Sequence, residues 1–195
     1  MKRTRELTAA VLIPLVLLLL VKGPFWGWAL LAGIACGAAL WEFQGLVRAA
    51  GWLAPRALSL VLFAAILVAS YLGSAPLLVA AAGAVLIALP TAILLAAPKE
   101  PVWLGSAAAT SFATLYVGAG GAAVIALRAI GWEPVLFLLG IVWAGDSAAY
   151  YVGSKLGKRR LSPVVSPKKS WEGFWGQIAA GAVFGALLAL VLPRV

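Results

Sequence analysis

Seven apolar runs, each near the twenty or so residues a helix needs to cross a bilayer, follow one another along the chain. Cut at charges, prolines and glycine clusters, they cover 7–21, 25–47, 57–72, 75–97, 102–127, 132–152 and 171–192. This pattern predicts an all-α, polytopic membrane bundle of seven transmembrane helices in a single transmembrane domain. The first run is short and contains Pro14, and the third is short as well. The fifth carries Gly118, Gly120 and Gly121, a cluster able to break it. Lys2, Arg3 and Arg5 precede the first run as they would in a signal peptide, but no small-residue cleavage site precedes Lys22 and a second apolar run follows at once. An uncleaved helix is expected.

Composition makes the membrane reading firm. Of the 195 residues 64% are hydrophobic and 11% charged, and the 21 glycines bring the apolar share to about three quarters, against roughly 45–50% in soluble domains. Twenty-one charged side chains cannot cover the surface of a soluble globule this size. The formal charge of +9 suggests a nucleic-acid partner at first sight. The basic residues punctuate the apolar runs instead of forming a continuous basic domain, so no nucleic acid is expected. With one cysteine, Cys36, and no histidine, disulfide frameworks, Cys/His zinc sites and His-based acid/base catalysis are excluded within these residues. Any metal must be held by carboxylates.

Charge placement fixes an expected orientation. With a cytoplasmic N-terminus, Lys2, Arg3, Arg5, Arg48, Arg56, Lys99, Lys155, Lys158, Arg159, Arg160, Lys168 and Lys169 gather on the cytoplasmic side, 12 of 15 basic residues. Lys22, Arg128 and Arg194 remain outside, a bias that matches the positive-inside rule. Splitting the fifth run would move the largest basic cluster outside, so parity favours seven. The expected location is a bacterial-type inner membrane. No internal repeat marks two related halves. Gly33 with Gly37, and Gly181 with Gly185, have the spacing that lets helices approach closely.

One connection, 153–170, holds six of the basic residues. Its two Ser-Pro steps, Ser162-Pro163 and Ser166-Pro167, each place a capping residue before a proline suited to a first helical turn. If Ser166 caps the last helix, Lys168 and Lys169 occupy a turn that already favours an anion, and a bound phosphate would justify them there. An ordinary positive-inside loop is the alternative, above all for Lys155, Lys158, Arg159 and Arg160. Asp146, inside the sixth run, costs at least about 2.5–3.5 kcal/mol at a membrane centre unless water or a partner compensates. Helical spacing puts it on one face with Trp143, Tyr150 and Gly153, expected to line a polar cavity. A structural Asp paired with a basic neighbour is the other reading. Glu42 is a weaker acid candidate near a cytoplasmic end. Glu172 is suited to neutralising a lysine, starting the helix or binding a cation. Most of the nine tryptophans lie near span ends, as interfacial belts do.

The stretch WAGDSAAYYVGSKLGKRRLSPVVSPKKSWEG, 143–173, closely resembles the phosphatidate cytidylyltransferase (CDP-diacylglycerol synthase) family in the order and spacing of its motifs. In that family an Asp-[Thr/Ser]-x-Ala-Tyr helix leads through Gly-x-x-x-Gly-Lys to Ser-Pro-x-Lys-[Thr/Ser]-x-Glu-Gly. The segments KRTRELTAAVLIPL and ALWEFQGL resemble the family's opening helices, so the resemblance runs along essentially the whole chain. It implies transfer of CMP from CTP to phosphatidic acid, with release of pyrophosphate and formation of CDP-diacylglycerol in phospholipid biosynthesis, assisted by magnesium. Membrane lipids are partners by the same argument. Lys168 and Lys169 would clamp phosphates, with Asp146 as the third catalytic candidate and a possible metal ligand. Ser166, Ser170, Tyr150, Lys155, Lys158 and Glu172 would line the substrate site.

The family pattern also includes a later acidic signature with His-Gly-Gly and Asp-Arg-x-Asp, which these residues do not contain. The expectation is that the main metal ligands lie in such a C-terminal segment and that this chain alone has little activity. A truncated product, half of a split enzyme associating through glycine-spaced faces, and a derived non-catalytic scaffold or partner subunit are the readings left open. A homodimer stays open too. A CTP-dependent lipid kinase and a seven-helix transporter using Asp146 are the remaining alternatives.

Overall fold

The computed structural model describes residues 2–96 and 102–192, with side chains from Leu12 onward. Its elements are α1 (Lys2–Lys22), α2 (Phe25–Ala49), α3 (Arg56–Tyr71), α4 (Ala75–Ala96), α5 (Trp103–Ile130), α6 (Trp132–Leu156), β1 (Arg160–Ser162), β2 (Ser166–Ser170) and α7 (Trp171–Val191). Lys99 and Arg194, and the side chains of Lys2, Arg3 and Arg5, lie outside the described residues. All seven apolar runs are helices, and their ends fall within a few residues of the expected ones. Five of them, α2, α4, α5, α6 and α7, are long and apolar enough to cross a membrane. The 16 residues of α3 reach about 24 Å, short of a hydrocarbon core of about 30 Å. The described apolar part of α1, Leu12–Lys22, is shorter still. The protein is an all-α, polytopic helical membrane protein, and the short β1–β2 hairpin holds the strands among the described residues.

The chain forms two compact units, Met1–Ala129 and Ile130–Val195. In the first, Leu40 of α2, Phe63, Ile66 and Leu67 of α3, Val85 and Leu89 of α4 and Ile125 of α5 form a buried apolar cluster. The glycine cluster of α5 does not break it. Gly118 and Gly121 are beds for neighbouring side chains: an added Cβ would lie 2.9 Å from Ile66 Cδ1 and 2.8 Å from Leu67 Cδ2. Tertiary packing outweighs the roughly 1 kcal/mol helix penalty of each glycine. Gly33 and Gly37 face Leu67 and Phe63 more loosely, with 3.5 and 3.6 Å left for an added Cβ. Arg128 closes the end of α1, its guanidinium donating to the carbonyls of Leu20 at 3.0 Å and Gly23 at 3.3 Å, groups a helix C-terminus leaves unpaired.

In the second unit α6 and α7 are antiparallel helices joined by the hairpin, and glycines set how closely they approach. Gly140 lies under Phe184 and Leu188, Gly145 under Gln177, Gly176 under Val152, and Gly181 and Gly185 under Ile141. At the hairpin end two glycines meet: a Cβ on Gly173 would sit 3.1 Å from Gly153 Cα and 2.9 Å from the Ala149 carbonyl oxygen. Both glycine pairs with close-approach spacing are thus occupied within the chain.

Candidate functional site

The chemistry-bearing residues of the second unit centre on the start of α7. Ser170, buried to 4% exposure, is its N-cap, and its hydroxyl oxygen accepts from Gly173 N at 3.2 Å. The cap therefore falls four residues later than the conditional candidate Ser166, and α7 starts at Trp171, where the seventh apolar run begins. Ser166 instead pairs with Ser162 across the hairpin, and Arg160 pairs with Ser170. Between these pairs β1 has one residue, Leu161, and β2 has three, Pro167, Lys168 and Lys169. Pro167 has no N–H to give a ladder, so the strand bulges there. Lys168 and Lys169 stand in the bulge, both exposed, and not in the first turn of α7.

That first turn is filled by the chain itself. The Glu172 carboxylate accepts from the backbone N–H groups of Lys158 at 3.1 Å and Arg159 at 3.2 Å. Trp171 N donates to the Arg159 carbonyl at 3.0 Å. An acid at a helix N-terminus is favoured by the dipole, and here it also ties the segment leaving α6 to the start of α7. Of the three roles the sequence allowed Glu172, helix start is the one seen, joined by a backbone clamp the sequence did not foretell. Gly157 makes the fit possible, because a Cβ there would lie 2.6 Å from Ser170 Oγ. Lys155, Lys158, Arg159 and Arg160 keep exposed side chains around this clamp.

Asp146 is exposed and sits along the seam between α6 and α7, where one of its oxygens accepts from Gln177 Nε2 at 3.2 Å. Its partner among the described residues is an amide, where the structural alternative expected a basic side chain. Gln177 is the site residue that sequence reading missed. One polar residue inside an apolar span, on the face of α7 that meets Gly145, was the available signal. Tyr150 is 68% exposed and packs edge-on against Tyr151, with ring centroids 5.4 Å apart. Of the expected stripe, Gly153 turns into the α7 contact, Asp146 lies at its edge and Tyr150 points away. Below Asp146, a groove of about 380 Å³ is lined by Ile141, Val142, Phe174, Ile178 and Gly181, with Gln177 among its lining. Glu42 lies in the other unit and is exposed. Among the described residues no three Asp, Glu or Cys side chains gather as a metal-binding set.

The model of the cytidylyltransferase family matches residues 3–195. The chain belongs to that family. A phosphatidate cytidylyltransferase of Pseudomonas aeruginosa is 31% identical over 185 residues, 92% of this chain and 67% of that protein. One from Bacillus subtilis is 36% identical over 84 residues, 42% of this chain and 31% of that protein. One from Haemophilus influenzae is 48% identical over 58 residues, 30% of this chain and 17% of that protein. The aligned stretches cover between a sixth and two thirds of these cytidylyltransferases.

Proposed function

We propose that this chain serves cytidylyl transfer from CTP to phosphatidic acid, giving CDP-diacylglycerol and pyrophosphate at the cytoplasmic surface of a bacterial-type inner membrane. The observation that carries the reading is the clamp at α7. Through Glu172 the basic run 158–160 is held against the helix whose cap ends the strand bearing Lys168 and Lys169. Cations from both arms are thereby concentrated over a few residues with no acid other than Glu172 among them.

In this reaction a phosphate oxygen of the lipid forms a bond to the α-phosphorus of CTP, and the bond from that phosphorus to the departing pyrophosphate breaks. The lipid phosphate is largely ionised near neutral pH, so no general base is required. Catalysis is positioning and charge offset. Lys168 and Lys169 hold the triphosphate, with Lys155 and Lys158 beside them. Ser170 holds the turn as the cap, Ser166 starts the strand that presents the lysines, and Tyr150 borders the site. The groove below Asp146 gives the lipid tail an apolar bed. Magnesium is characteristically held by one or two carboxylates, with water and phosphate oxygens completing its shell. Asp146 fits as one such carboxylate, and the ion would offset charge on the phosphoryl oxygens when bound. Further carboxylates from a second chain or a longer polypeptide belong to the same proposal, as does the cytoplasmic N-terminus.

CTP binding to the chain in nanodiscs tests the reading. Lys168→Ala with Lys169→Ala should weaken it at least about tenfold, because one charge-assisted contact is worth about 1.5 kcal/mol at the low end. Lys22→Ala should leave it unchanged. Turnover is measured as labelled CTP carried into extractable lipid, for this chain alone and with the remaining third of the Pseudomonas relative co-expressed. Asp146→Asn keeps an amide partner for Gln177 and should preserve folding while abolishing incorporation. Equal CTP affinity in the double variant, or full incorporation by Asp146→Asn, would overturn the assignment.

A further inference from the structure

The most exposed large apolar side chains of the second unit are not on a span. Val164 and Val165, 95% and 85% exposed, form the tip of the β1–β2 hairpin. The next most exposed there, Leu190 and Val191, sit on α7, a helix of membrane-crossing length. The tip lies outside every helix, within the most basic segment of the chain. Arg159, Arg160, Lys168 and Lys169 flank it with exposed side chains, and 153–170 contains no acid.

An apolar tip ringed by cations is complementary to one kind of surface, an anionic bilayer interface with acyl chains just below charged headgroups. The hairpin is placed to reach it. Both its ends run into helices of membrane-crossing length, α6 ending at Leu156 and α7 beginning at Trp171. Trp171 and Trp175, 44% and 61% exposed, mark that end of α7 as interfacial. Two short strands extend only about 10–17 Å at roughly 3.3 Å per residue, so the tip cannot move far from the bilayer that holds its base.

We infer that the β1–β2 hairpin folds back onto its own membrane, with Val164 and Val165 seated among the acyl chains and the flanking Arg159 and Arg160 side chains on anionic lipid phosphates. The hairpin is thereby held at the level of the headgroups. This inference does not depend on the proposed transfer reaction, and its test reads no activity.

The chain with Cys36→Ser is reconstituted after Val164→Cys, and in parallel after Ser162→Cys nearer the hairpin base, each labelled with a nitrobenzoxadiazole probe. Quenching by brominated acyl chains is compared with quenching by iodide, in vesicles with phosphatidylglycerol and in pure phosphatidylcholine. The inference predicts lipid quenching at position 164 several-fold stronger than iodide quenching, stronger than at position 162, and stronger with phosphatidylglycerol present. Iodide quenching without lipid quenching would place the tip in water and overturn it. Protection from both quenchers would mean that protein covers the tip, and would overturn it as well. Equal lipid quenching in both vesicle types would overturn the role given to the cations.

Discussion

Glu172 decides whether the basic segment is a loose loop or a held one. A carboxylate offers two charged acceptor oxygens, and here both are used, on two successive backbone N–H groups. Glu172→Gln keeps the length but removes the charge and one acceptor. The amides of Lys158 and Arg159 should then exchange with deuterium several-fold faster, while amides in the middle of α6 keep their protection. Unchanged exchange at both amides would mean the clamp contributes nothing. Part of this was legible, since an acid two residues after Ser170 suits a helix start. The backbone clamp was not, because it joins residues 13 and 14 positions apart through a turn whose shape depends on Gly157. Asp146 was legible as an acid in an apolar run. Gln177 was not, because an amide in a span carries no charge to draw attention and gains meaning only from the α6–α7 register.

At the scale of elements, the helices followed from run length alone, as a bilayer demands about twenty apolar residues whatever they pack against. The hairpin could not be read that way. Lysine and proline have low strand preference, and Pro167 argues against a strand in any sequence-based assignment. The strands exist because α6 and α7 bring their ends together and the intervening chain must satisfy its backbone groups across a short span. What brings those ends together is glycine. Gly173→Ala sets a methyl against backbone on both sides, Gly153 Cα and the Ala149 carbonyl, and neither can rotate away. Overpacking of this kind costs about 1–3 kcal/mol, so the melting temperature in detergent should fall by several degrees and the hairpin amides should lose protection. Gly83→Ala on α4, where nothing lies within 4 Å, should be neutral or slightly stabilising. Matching melting curves for the two variants would remove glycine contact as the organiser of α6 and α7.

For the molecule as a whole, composition excluded a soluble domain, the match over residues 3–195 gives the family, and the charge pattern gives a proposed sidedness. The sequence alone put the two lysines in a helical turn only on the condition that Ser166 was the cap. The structure moves them onto a bulged strand beside that turn, leaving the helix terminus to Ser170 and Glu172. The proposed phosphate site is accordingly a cationic hairpin next to a self-capped helix, in place of a helix N-terminus open to an anion. Its most direct test is acylation of Lys168 and Lys169 by a water-soluble ester in nanodiscs, followed by peptide mass spectrometry with and without nucleotide. The account predicts that CTP with magnesium slows modification of both lysines several-fold and that CMP, which lacks the pyrophosphoryl tail, does so far less. Identical labelling rates with CTP, with CMP and without nucleotide would contradict it.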